Sequence, residues 1–74
     1  MQRRPVNSSN LAAVGWEEGE EGTDIGTMEV EFRNGRVYAY DGVPRTEYEN
    51  LLGASSPGRY LNQNVIGMYD ERRL

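Results

Sequence analysis

TMEVEFRNGRVYAYD, Thr27 to Asp41, reads as two strands joined by a tight turn. Asn34-Gly35 is a strong hairpin signal, because both central positions of a type I′ turn need positive φ. A two-residue turn sets the register. Arg33 then faces Arg36, Phe32 faces Val37, Glu31 faces Tyr38, Val30 faces Ala39 and Glu29 faces Tyr40. Side chains alternate across a strand, so two faces are expected. Met28, Val30, Phe32, Val37 and Ala39 form a core face; Glu29, Glu31, Arg33, Arg36, Tyr38 and Tyr40 form an amphipathic face open to a ligand.

The 74 residues make one domain (1–74). A chain of this size buries only about 60% of its unfolded surface, so a small core or self-association must stabilise it. A homo-oligomer is the expectation. There is no cysteine to form a disulfide and no histidine, which excludes a Cys/His metal site. Nucleophile–base pairs built on histidine or cysteine are absent too, so no enzyme and no cofactor are expected. No apolar run is long enough to span a membrane. MQRRPVNSSN lacks the apolar centre of a signal peptide, so a cytoplasmic location is expected.

The net charge is −4, unevenly placed. Five of the twelve acidic residues, Glu17, Glu18, Glu20, Glu21 and Asp24, crowd between glycines; the other seven are balanced by eight basic residues, all arginine. Arginine makes planar, two-pronged contacts with phosphate and carboxylate. The overall acidity argues against a non-specific nucleic-acid binder, which carries a basic stripe.

Met1–Pro5 reads as a loose arm (1–5). A first strand follows from about Asn10, with Ser8 and Ser9 able to bond its first backbone groups. Alternation puts Leu11, Ala13 and Gly15 on one side and Ala12, Val14 and Trp16 on the other. Residues 17–26 read as a solvated, mobile acidic loop. After the hairpin, Pro44 opens a helix that Gly53 ends, with Tyr48, Leu51 and Leu52 as its apolar stripe. A second short helix begins at Ser56 as N-cap with Pro57 at N1, and Gly67 stops it. Asp70–Leu74 reads as a charged tail (70–74). The expected fold is α+β: a three-stranded antiparallel β-meander followed by two short α-helices packed on one face.

These features recur in a recognisable order: Ser8-Ser9 before a strand ending Val14-Gly15-Trp16, then Met28-Val30-Phe32 and Asn34-Gly35. Tyr38-x-Tyr40, Val43-Pro44, Tyr48 with Leu51-Leu52, and Ser56-x-Gly58-x-Tyr60-x-Asn62 complete it. Together they resemble the KTSC domain, named for its presence at the C-terminus of some lysyl-tRNA synthetases, and its free-standing bacterial and phage members. The resemblance spans about Val6 to Tyr69. It implies a small binding domain for which RNA binding has been proposed, with Tyr38 and Tyr40 at the family's central Y-x-Y. It also implies attention to Ser56, Gly58, Tyr60 and Asn62. The acidic loop is a departure, since many relatives have a shorter turn there. The size of the chain resembles that of phage accessory proteins.

Two residue sets carry the expected chemistry. Tyr38 and Tyr40 lie about 7 Å apart along one strand, a spacing that suits stacking of two bases. Arg33 and Arg36 share their expected face and are second candidates for phosphate. The competing reading buries both tyrosines under the helices with their hydroxyls bonded. Ser55-Ser56-Pro57-Gly58-Arg59 offers backbone N–H groups and an arginine fork to an anion, or is simply a cap and turn. The functional expectation is a self-associating, non-catalytic module that holds a nucleotide-type ligand, including a cyclic-nucleotide signal, or an RNA segment. The alternative is a small acidic phage inhibitor that docks on a host protein through its acidic loop, an anti-defence role.

Overall fold

A computed structural model describes all 74 residues, Met1–Leu74. Strands β1 (Arg4–Pro5), β2 (Leu11–Glu18), β3 (Ile25–Phe32) and β4 (Val37–Pro44) precede helices α1 (Arg45–Gly53) and α2 (Pro57–Asn64). Strand β5 (Asp70–Arg73) closes the chain. The five strands form one antiparallel sheet in the order β1-β2-β3-β4-β5. The architecture is α+β with two helices over an antiparallel sheet, as expected, but it has five strands, not three.

The two added strands come from segments that look like arm and tail. Arg4 and Pro5 pair with Val14 and Ala13 of β2. Asp70–Arg73 pairs along Tyr38–Asp41 of β4. Neither segment has apolar alternation, and all of their residues in strand are exposed. What recruits them is the unpaired backbone at the edges of the meander. The acidic loop is shorter than the expected 17–26. Glu17 and Glu18 extend β2 opposite Thr27 and Gly26, and a bond from Gly19 N–H to the Ile25 carbonyl (3.0 Å) closes a tip of only 19–24.

The central hairpin forms, but one residue out of the expected register. Asn34 keeps a negative φ and only Gly35 is left-handed, at φ 91°. The turn is therefore not type I′. Phe32 N–H donates to the Arg36 carbonyl (2.8 Å) and Gly35 N–H to the Phe32 carbonyl (2.9 Å), giving the three-residue loop Arg33–Gly35. The Asn34 side chain holds this alternative by accepting from Arg36 N–H at 3.0 Å. Val30 now opposes Tyr38 and Met28 opposes Tyr40, while Glu29 opposes Ala39 and Glu31 opposes Val37. A one-residue change exchanges the faces of a whole strand. Tyr38 and Tyr40 thus join Met28 and Val30 on the core side, and Val37 and Ala39 leave it.

A second irregularity corrects β2. The register shifts between Leu11 and Ala13, so Leu11 falls on the same side as Val14 and Trp16 rather than with Ala13. The core is then Leu11, Val14, Met28, Val30, Tyr40 and Val43 from the sheet, with Leu51, Leu61 and Val65 from the helical layer. Trp16, Phe32, Tyr38, Tyr48, Leu52, Tyr60 and Tyr69 pack around it. Trp16 is fixed by its indole N–H, which donates to the Val43 carbonyl at 3.0 Å, and by the Arg45 guanidinium 5.7 Å from its ring. The opposite face of the sheet has no helix. Arg3 lies there against Glu29 (2.8 Å) and Glu31 (3.6 Å), and Arg72 forks onto Asp41 (2.7 and 3.0 Å).

Candidate functional site

Ser8 starts the site. Its hydroxyl accepts from the N–H groups of Asn10 and Leu11, both at 3.2 Å, which turns the chain sharply into β2. Its carbonyl accepts from Arg33 Nε at 2.7 Å, so the hairpin tip grips the same turn. On the other side, the Ser56 hydroxyl accepts from Arg59 N–H at 3.4 Å and caps α2, with Pro57 first in the helix as its fixed φ favours. Gly58 is buried where the two segments meet: a side chain there would begin 3.4 Å from the Ser8 hydroxyl. Pro57, Gly58 and Leu61 seat α2 on the core, which leaves Arg59, Asn62 and Gln63 exposed on its other side.

Between these segments lies a groove of about 540 Å³. Asn7, Ser8, Ser9 and Asn10 form one wall, and Ser55, Ser56, Gly58, Arg59, Asn62 and Gln63 the other, with the Pro57 ring at its base. Apart from that ring the lining is hydroxyl, amide, guanidinium and glycine. There is no carboxylate in it. Arg59 makes no ion pair in the chain. A second hollow of about 300 Å³ shares Ser9, Asn10 and Asn62 with the first and continues to Phe32, Arg33 and Asn34. The two make one polar track with an arginine toward each end and the edge of an aromatic ring beside it.

Four of the expected residues, Ser56, Gly58, Arg59 and Asn62, meet in this groove, and Arg33 borders its continuation. The others do not. Tyr40 is 1% exposed, and its hydroxyl donates to Glu71 at 2.8 Å. Burial, then the Glu71 bond, pushes its phenol far above the ordinary tyrosine range. Tyr38 is half-buried and meets Phe32 edge to face, with ring centres 5.7 Å apart. Tyr40 is a core residue and Tyr38 packs against the core, so the two do not form the stacking surface expected of them. Tyr60 turns away from the groove and donates to Glu47, which also accepts from the Tyr69 hydroxyl at 2.8 Å. Burial, then the shared carboxylate, raises both phenols. Arg36 lies in a separate hollow with Arg3 and Arg73.

Sequence reasoning missed Asn7, Asn10, Asn34 and Phe32. The run Asn7-Ser8-Ser9-Asn10 is visible as a polar cluster, but nothing local indicates that it packs against α2. Phe32 was expected on the core face; it packs against the core cluster and also lines the second hollow.

The KTSC domain family matches residues 7–69 of the chain. The crystal structure of a KTSC domain protein from Yersinia pestis is similar to it with a TM-score of 0.86 at 32% identity, covering 99% of this chain and 96% of that one. An uncharacterised protein of Stutzerimonas stutzeri is 36% identical over 63 residues, 85% of this chain and 82% of its own length. A protein of Tsukamurella paurometabola is 34% identical over 59 residues, 80% and 81% of the two chains. The chain belongs to the KTSC domain family. No helix is long and apolar enough to cross a membrane.

Proposed function

We propose that the chain is a non-catalytic binding module that takes a nucleotide or a short single-stranded RNA along the track from Arg59 to Arg33. One observation carries this reading. In a chain with twelve acidic residues and a charge of −4, the largest share of hydroxyl and amide groups lines a groove with no carboxylate, and the guanidinium of Arg59 stands among them without an ion pair. Arg59 meets a phosphate through its two-pronged fork. Asn10 and Asn62, each with donors and an acceptor, pair with sugar or base edges, and the Phe32 ring edge borders the base. The groove holds no nucleophile–base pair, which favours holding over turnover. Nucleotides and RNA place the activity in the cytoplasm, of a bacterium or of a phage-infected host.

Calorimetric titration with nucleoside monophosphates and with a short RNA tests it. Binding is expected to fall steeply in Arg59→Ala and to persist in Arg36→Ala. For the single-stranded RNA, with one principal phosphate contact, log affinity should fall with log salt at a slope of about −0.7. Equal binding by wild type and Arg59→Ala, or none by wild type, overturns the proposal. A second reading rests on the acidic end of the β2–β3 hairpin: Glu17 and Glu18 at the end of β2 and Glu20, Glu21 and Asp24 in the tip are all exposed beside Ile25, which is 45% exposed. An acidic tip of this kind suits docking on a basic host protein. Capture from lysate that is lost when the four glutamates become glutamine would favour it.

A further inference from the structure

The two edges of the sheet differ. On the far side β1 covers β2 with two residues only, and one of them, Pro5, has no N–H to donate. On the near side β5 presents four exposed residues, Asp70-Glu71-Arg72-Arg73, with nothing paired to their outer side. Leu74 N–H donates to the Val37 carbonyl at 2.9 Å, and Arg72 and Asp70 lie opposite Ala39 and Asp41. Antiparallel pairing alternates, so residues 70, 72 and 74 direct their backbone groups into β4, and Glu71 and Arg73 direct theirs outward.

We propose that the chain forms a two-fold dimer in which β5 pairs antiparallel with β5 of a second copy, with Glu71 opposite Arg73 of that copy. A two-fold axis normal to the sheet keeps each face continuous. It therefore permits only registers that place a residue opposite itself. Centring on Arg72 sets Glu71 against Arg73 twice, on the outward-pointing backbone positions, so both ion pairs sit on hydrogen-bonded pairs. Arg73 makes no ion pair within its own chain, and Glu71 there meets only the Tyr40 hydroxyl. The two central Arg72 side chains are each already neutralised by Asp41. Centring on Glu71 instead would set two glutamates face to face and leave Arg73 without an acid. The chosen register also brings Leu74 (58% exposed) of one copy to the strand end that carries Met68 (70% exposed) of the other.

A charged edge strand repels most foreign strands; the acid–base order of β5 makes its own copy the fitting partner. The two-fold contact uses the β5 edge of both copies, so the assembly closes at two. The contact is small, so the dimer is weak and concentration-dependent.

Sedimentation of the full chain from about 10 μM to about 1 mM tests the register. Wild type should shift from monomer to dimer across that range. Arg73→Glu, which breaks no bond within the chain, should raise the dissociation constant at least about tenfold through two like-charge pairs. Glu71→Arg should do the same. An equimolar mixture of the two variants restores both ion pairs and should dimerise again. Wild type that stays monomeric at the highest concentration, or Arg73→Glu that dimerises like wild type, overturns the proposal. Failure of the mixture to recover overturns it too. Since Glu71→Arg also removes the partner of Tyr40, its far-UV spectrum is checked; if it does not fold, Arg73→Glu against Arg73→Gln decides the matter. None of these residues lines the polar groove.

Discussion

Tyr40 shows how much one side chain can decide. It is buried, its ring completes the core, and its hydroxyl reaches Glu71 at the sheet edge. Removing that hydroxyl in Tyr40→Phe should cost about 1 kcal/mol at neutral pH. The pH dependence has a definite sign. Burial and the Glu71 bond raise the folded-state pKa, so the contribution is full below the unfolded value of about 10 and is lost as pH rises beyond it. Wild type should therefore lose stability more steeply than Tyr40→Phe in alkali, and the gap between them should close. Urea melts at neutral pH and above pH 10 check this; parallel curves would contradict it. At this scale the sequence was legible at Ser8, Ser56 and Pro57, whose caps are local. It was not legible at Tyr40, because an aromatic residue on a strand is equally suited to either face.

β5 shows the same limit at the scale of an element. Its four residues carry no apolar pattern, yet they occupy the edge of β4 and bring two side-chain ties, Tyr40 to Glu71 and Arg72 to Asp41. Ending the chain at Tyr69 should destabilise the fold and leave the backbone of Tyr38–Asp41 unpaired. Such a chain should melt at lower temperature and aggregate on concentration, as light scattering would register. An unchanged melt would mean that β5 adds nothing to the sheet. The hairpin is the opposite case. Asn34-Gly35 announced a reversal, and there is one. Which of two turns it forms depends on a single φ, and that choice set the faces of β4.

As a whole molecule the chain has a nine-residue core cluster and no disulfide. Its total stability should be about 4–11 kcal/mol, lost in one cooperative transition. The helix-free face ties both ends of the chain by charge: Arg3 to Glu29 and Arg72 to Asp41. The Arg72 guanidinium, helped by the Thr27 hydroxyl, holds the Asp41 carboxyl below its usual range. A lowered carboxyl contributes stability above its unfolded pKa, and that contribution is lost as pH falls through the folded value. The acid limb of the stability curve should accordingly be shallower in Asp41→Asn than in wild type. Identical limbs, followed by thermal melts from pH 6 to pH 3, would exclude the contribution.

The sequence by itself determined the order of the main elements, the central reversal, the capped start of α2 and the family. Each is written in contacts between residues close in the chain, where spacing and turn chemistry suffice. Only the tertiary structure decided which way β4 faces, that both charged ends become strands, and that Asn7–Asn10 and Ser55–Asn62 share a groove. Those outcomes depend on unpaired sheet edges and on packing between segments some 45 or more residues apart. No local pattern encodes them.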